Sequence, residues 1–252
     1  MRQEERDEVR RWKDLHDRGR KQGVYTFTGF LNMNQLSIFY THVNEIGTTN
    51  WKVSGGYENA ERAIIRFGNL EDLGYEEEFP ISCVQFSAAN EKFASEIGHR
   101  DVLGAIMNLG IERTLIGDIR FVNRKIYVYC ASHIADYLCS EIIRIGKTVV
   151  VSKIAQPDQL LDMVQMEEHT GIIASLRIDV FVAFLTDLSR KNSTELLLAK
   201  NVYVNGRICD NFSYLMKEGD IISIRGYGKF VFGGVLGQTK KERLKVNYQK
   251  YV

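Results

Sequence analysis

Proline occurs only twice in 252 residues, at Pro80 and Pro157, and each falls where the hydrophobic pattern changes character. Proline stops helices and is kept out of central strands, so the two positions mark boundaries. They divide the chain into residues 1–79, 80–156 and 157–252. The middle part has the clearest periodicity. ISCVQF has strand character, RDVLGAIMNLG is helical and closed by Gly110, TLIGDIRFV and KIYVYCA are two strands, SHIADYLCSEIIRIG is a helix and KTVVVSKI a last strand. That order, βαββαβ, is the ferredoxin-like arrangement also used by RRM-type domains. Tyr127 and Tyr129 share one strand face and could stack on bases, but RKIYVYCA lacks the glycine-aromatic pattern of base-stacking strands, so both are expected in the core or as structural sheet aromatics.

The segment 1–79 opens with a strongly charged helical run and continues with Leu36, Phe39, Tyr40 and Val43 at helical spacing, which predicts a small helical or mixed domain. Residues 157–170 are polar and predict a linker. Residues 171–252 follow as a third domain, and the fold class expected overall is α+β. In it Ile173, Leu176, Val180, Phe184 and Leu188 form one helical stripe, with Arg177 off that stripe. Ser189 is placed to cap a second helix whose first turn holds Arg190 and Lys191. Asn205-Gly206 between β-prone residues predicts a type I′ hairpin, and Glu218-Gly219-Asp220 a further turn. The final GQTKKERLKVNYQKYV is expected as a basic tail.

A net charge of +1 hides a split. From Gly171 onward there are 13 Lys and Arg against 7 Asp and Glu, whereas residues 1–170 hold 20 against 25. Such asymmetry points to a nucleic-acid-binding end. Two cations in the first turn of a helix oppose its dipole, and beside unpaired backbone N–H groups they make a pocket for phosphate, with Arg177 as a third contributor. Arg207, Arg225, Lys229, Lys240, Lys241 and Arg243 extend the same electropositive part, and the glycines beside Arg225 and Lys229 let a backbone approach a polyanion closely. The helices lack a recognition-helix composition aimed at base edges, so phosphate contacts on folded RNA are expected and DNA is not.

Catalytic signals fail on inspection. Ile145-Gly146-Lys147-Thr148 resembles the end of a phosphate-binding loop, but position 141 holds Glu141 instead of the required glycine, and the stretch is expected as a helix end and strand start. Cys130, His133 and Cys139, with Cys83, match no standard zinc spacing, so neither metal nor cofactor is expected. His99-Arg100-Asp101 has no nucleophile and suits a helix start. No CxxC pair occurs, the N-terminus is too charged for a secretory signal, and the most apolar stretch, 171–185, carries Arg177 and Asp179, so a cytoplasmic protein outside membranes is expected.

LRIDVFVAF, SRKNSTELLLAKNVYVNG and KEGDIISIRG in this order resemble the small RNA-binding module of ribosomal protein S-four. The resemblance implies that Arg177, Arg190 and Lys191 contact RNA and that Asp179 is the acidic partner in the first helix, with Asn205, Gly206, Gly219 and Asp220 structural. It departs at the second helix end, where the module has glycine and this chain has Lys200 followed by Asn201, a residue able to adopt the left-handed conformation. With GGYENAERAIIRFG, GHRDVLGAIMNLGIERTLIGDI, RGYGKF and GQTKKER added, nearly the whole chain resembles the bacterial YlmH family. That resemblance implies a non-enzymatic protein that binds rRNA of the large ribosomal subunit and tRNA or peptidyl-tRNA in ribosome-associated quality control, supporting alanine tailing of the trapped chain. Two alternatives stand beside it. One is an RNA-modifying enzyme, since this module is often fused to pseudouridine synthases or methyltransferases, although neither catalytic domain fits residues 1–156. The other is an interaction protein linked to cell division.

Overall fold

A computed structural model describes residues 3–58, 60–91, 95–155 and 166–251. The architecture is mixed, with helices and several antiparallel sheets, and the chain forms two compact units, Met1–Met163 and Val164–Val252.

The first unit starts with α1 (Gln3–Gln22), β1 (Thr26–Phe27), α2 (Met33–Ile46), β2 (Trp51–Ser54), β3 (Ile64–Phe67) and the single turn α3 (Leu70–Leu73). Asn32 and Gln35 form a reciprocal capping box that starts α2, and Gly47 in the left-handed region ends it. Trp12, Phe39, Ile65 and Phe67 form its core, where α1 and α2 meet the sheet β1-β3-β2.

Next come β4 (Ile81–Ala88), α4 (His99–Met107), β5 (Ile116–Val122), β6 (Lys125–Ala131), α5 (Ala135–Glu141), β7 (Arg144–Ile145) and β8 (Thr148–Ile154). The sheet order is β5-β6-β4-β8-β7, with every neighbouring pair antiparallel. One face, with Val84, Phe86, Val128 and Cys130, packs on Val102 and Ile106 of α4 and Leu138 of α5. The other carries Cys83, Tyr127 and Tyr129. Cys83 and Cys130 therefore lie on opposite faces and cannot share one metal. The helix expected through Gly146 ends at Glu141: the β-branched Ile142-Ile143 and Ile145 leave it, and Arg144–Ile145 pairs with β8.

Segments 1–79 and 80–156, expected as separate domains, belong to one compact unit. Asp118 on β5 accepts bonds from the Tyr57 hydroxyl at 2.7 Å and from the amides of Glu61 at 2.7 Å and Arg62 at 3.1 Å. The Arg62 guanidinium donates to the carbonyls of Ile116 at 2.9 Å, Phe30 at 2.9 Å and Arg113 at 3.1 Å. Tyr57 also lies 4.8 Å from the Tyr129 ring. Tyr127 and Tyr129, 6% and 1% exposed, are closed to base stacking.

The second unit comprises β9 (Met166–Ile173), α6 (Ile178–Thr186), α7 (Arg190–Leu198), β10 (Val202–Val204), β11 (Arg207–Ile208), β12 (Ile221–Ile224), β13 (Gly228–Gln238) and β14 (Leu244–Tyr251). These strands form one sheet, β11-β10-β12-β13-β14-β9, with Phe181, Leu197, Phe230, Phe232 and Val246 in its core. Three expectations change. The last five residues of the expected linker, 166–170, are part of β9, which pairs with β14 over eight residues. Ile173 belongs to that strand instead of the helical stripe, and Gly171 is required there because a Cβ would overlap the Phe184 ring. The expected tail is largely β14, an internal strand, in which Val246 is fully buried and Tyr248 meets Phe181 and Phe184 edge-on.

Candidate nucleic-acid interface

Ser189 caps α7 by accepting from the Asn192 amide, so Arg190 and Lys191 occupy its first turn, both exposed. Arg177 is the residue that caps α6, one position before the helix, where its backbone is extended. The two helix starts meet: the Ser193 hydroxyl of α7 donates to the Asp179 carbonyl of α6 at 3.2 Å. Arg177 grips Asp179 in a two-pronged pair, Nε to Oδ1 at 2.9 Å and Nη2 to Oδ2 at 3.0 Å. Arg190 and Lys191 make no ion pair among the described residues. Two exposed cations without ion pairs and one half-compensated arginine thus gather at two adjoining helix starts, an arrangement suited to phosphate.

The Arg177 hydrogen bonds hold the Asp179 carboxyl below its usual value of 3.8, against partial burial and with added help from Arg190. A carboxyl whose folded value lies below its unfolded one stabilises fully above the unfolded value, and that contribution is lost as pH falls through the folded value. Arg177 is 44% exposed, so solvent screens much of what the pair contributes. In Asp179→Asn, thermal melts across a pH series should therefore be lowered modestly at neutral pH and converge on those of the unaltered chain as pH falls below about 4.

The remaining basic residues do not converge. Arg225 lies in the exposed turn between β12 and β13, and Lys229 follows on β13 with its Nζ 5.5 Å above the Tyr251 ring. Lys240, Lys241 and Arg243 occupy the turn between β13 and β14, tied by the Thr239 hydroxyl and carbonyl. β13 has 11 residues, which separates these groups by about 30 Å. Arg207 sits on the edge strand β11. The turn with Lys240, Lys241 and Arg243 lies at the end of the sheet where Ile173 pairs with Leu244 and the chain leaves for α6, so it is the group nearest in chain path to Arg177.

The structural residues do meet. Asn205 at φ 51° and Gly206 at φ 77° form the hairpin turn, a left-handed pair that Asn-Gly accommodates. Asn205 Nδ2 donates to Asp220 Oδ1 at 2.8 Å, while Asp220 Oδ2 accepts from the Tyr214 hydroxyl and the Lys217 amide, each at 2.8 Å. Burial and Asp220 push the Tyr214 phenol up to about 12. Gly219 supplies the left-handed residue of the adjoining turn. At the end of α7 the left-handed residue is Lys200, with φ 56°, and not Asn201: the Lys200 amide reaches the Leu197 carbonyl and the Asn201 amide that of Leu196, which fixes the cap one residue earlier.

Residues 75–158 match the family model described as "Putative RNA-binding domain in YlmH". Over 245 residues, 97% of this chain and 93% of the relative, the sequence is 29% identical to Ribosome-associated protein quality control protein P2 of Bacillus subtilis (strain 168). The chain is thus similar to YlmH proteins. A solved YlmH structure, "Cell division protein ylmH from Streptococcus pneumoniae", shares the fold with a TM-score of 0.52 and 19% identity, over 64% of this chain and 97% of that one. The domain that identifies a YlmH protein is thus the central one, and none of the basic residues expected to bind RNA lies in it. Asp118 and Arg62, which anchor it to the N-terminal segment, also went unnoticed; the only signal was their place within the two stretches GGYENAERAIIRFG and GHRDVLGAIMNLGIERTLIGDI that carry the family likeness. No helix among the described residues is long and apolar enough to cross a membrane.

Proposed function

We propose that this protein binds folded RNA of the large ribosomal subunit, together with the tRNA or peptidyl-tRNA held there, and acts without catalysis of its own in cytoplasmic ribosome-associated quality control, supporting alanine tailing of the trapped chain. The observation that carries the reading is the group formed by Arg177, Arg190 and Lys191 at two adjoining helix starts, the last two making no ion pair among the described residues. The name of the Bacillus subtilis relative supports the ribosomal setting. Two helices followed by the Asn205-Gly206 hairpin agree with a module like that of ribosomal protein S-four, in which Arg207, Arg225, Lys229, Lys240, Lys241 and Arg243 give further phosphate contacts. The strand order β5-β6-β4-β8, all antiparallel, agrees with a ferredoxin-like central domain.

In a lysate gradient the protein should migrate with free large subunits, and Arg177→Ala, Arg190→Ala and Lys191→Ala together should return it to the top. Retention on the subunit by the triple variant rejects the role given to these residues. The name of the pneumococcal structure favours a second reading, an interaction protein in cell division. That reading gains if the protein avoids subunits altogether, and turnover of a modified nucleoside by the pure protein would favour an enzyme.

A further inference from the structure

The most highly charged helix of the chain lies in its acidic half, and its charges are sorted. α1 turns Val9, Trp12 and Gly19 inward, with Trp12 edge-on to Phe39 at 5.7 Å. Beginning beside that inward face, at 3.6 residues per turn, Arg6, Arg10, Lys13, Arg20 and Lys21 fall within an outward arc of about 100°. All five are exposed. The one carboxylate in that arc is Asp17, which is 3.2 Å from His16 Nδ1. The remaining acids lie outside the arc: Asp14 borders it, Glu8 accepts from Gln35 Nε2 at 2.8 Å and Asp7 from Gln3 at 3.1 Å. None of the five cations makes an ion pair among the described residues.

Helix surfaces ordinarily interleave signs at three- and four-residue spacing, because each such pair of opposite charges stabilises and each like pair destabilises. Arg6 with Arg10 and Arg10 with Lys13 are like pairs at those spacings, and although Asp7 and Asp14 flank Arg10 and Asp17 flanks Lys13, Arg20 and Lys21, none of these carboxylates closes an ion pair with the stripe among the described residues. The cations of the stripe therefore keep their donors open to a partner outside the molecule.

We propose that the outer face of α1 is a second RNA-contacting surface, which lies along the phosphate backbone of a folded RNA while the C-terminal residues hold another part of it. This rests on the reading that the protein binds RNA. From Arg6 to Lys21 the stripe runs about 22 Å, a length over which a nucleic-acid duplex presents on the order of ten phosphates. The arc holds no apolar side chain. A protein partner is gripped mainly through buried aromatic and apolar anchors, and a lipid surface needs an apolar face to insert, whereas the apolar face of α1 is already spent on the core. A phosphate chain asks only for a row of cations.

The test uses the full-length chain and an RNA hairpin of about 20 base pairs, the kind of duplex that is recognised by shape and backbone. Arg10→Gln, Lys13→Gln and Arg20→Gln together should weaken binding on the order of tenfold and reduce the slope of log affinity against log salt by about two, with the melting temperature unchanged or slightly raised. Arg11→Gln with Arg18→Gln, on the neighbouring edge of the same helix, should leave both affinity and slope unaltered. If the stripe variant binds like the unaltered chain, or the edge variant loses as much, the surface is not an RNA site. Poly-glutamate displacing the hairpin at equal charge concentration also overturns it, in favour of an acidic protein. Loss of binding in the Arg177, Arg190 and Lys191 variant with none in the stripe variant rejects this inference alone. Failure of the unaltered chain to bind the hairpin rejects the functional reading and this surface together.

Discussion

Asp220→Ala should loosen the C-terminal unit by about 3 kcal/mol, seen as an on the order of hundredfold faster exchange of the amides around the hairpin. The side chain is only 5% exposed and accepts three hydrogen bonds, from Asn205, Tyr214 and Lys217. Alanine removes the acceptor and leaves three donors facing a small void, which costs more than the net value of the bonds because each buried donor keeps its desolvation penalty. Asn205 loses its anchor as well, and with it the bond that its Oδ1 accepts from the Ile221 amide. The loss reaches the chain path of β10 through β12 and the turn at Gly219. Asp220→Asn retains one oxygen of the two and should fall about midway. Local exchange is the appropriate readout, since a chain of two compact units need not unfold in one step. Unchanged protection at Asn205 and Ile221 in Asp220→Ala would contradict the account.

This network also marks what the sequence could reveal. Asn205-Gly206, Ser189 and the turn at Gly219 are local devices: each is decided by two to four neighbouring residues, and the structure has all of them where local chemistry puts them. The strands at the two ends of the C-terminal unit are not local. β9 spells MEEHTGII and β14 LKVNYQKY, and their lysines and glutamates conceal an alternation that becomes apparent only when Val246 and Tyr248 join Phe181 and Phe184 of α6 in one core. The union of residues 1–79 with the central sheet is hidden for the same reason. It rests on a carboxylate whose partners lie 56 to 61 residues away and a guanidinium whose partners lie 32 to 54 away, all side chain to backbone or to phenol, and no periodicity encodes such bonds. The acidic total of residues 1–170 concealed the basic face of α1 in the same manner, because a sum of charges is blind to which side of a helix they occupy.

Replacing Arg177, Arg190 and Lys191 by alanine together should lower affinity for folded RNA on the order of a hundredfold near physiological salt and reduce the salt slope by two to three, at about 0.7 to 0.9 per phosphate contact. The three should not contribute equally. Lys191 makes no ion pair among the described residues and Arg190 acts on Asp179 only at a distance, so each deletion removes one contact and little else. Arg177 is half committed to Asp179, whose carboxyl it holds in the charged form and whose side chain is 15% exposed. Its removal therefore subtracts a cation and also uncovers an anion beside the incoming phosphate. Arg177→Ala alone should then weaken binding more than Lys191→Ala alone, and Asp179→Ala added to Arg177→Ala should restore part of the loss. That recovery is a non-additivity expected of residues in direct contact and not of three independent surface charges. Filter binding of the four variants at several salt concentrations measures it: equal losses from Arg177→Ala and Lys191→Ala, with no recovery on adding Asp179→Ala, would mean that the Arg177 and Asp179 pair only holds the start of α6 and that RNA is gripped elsewhere.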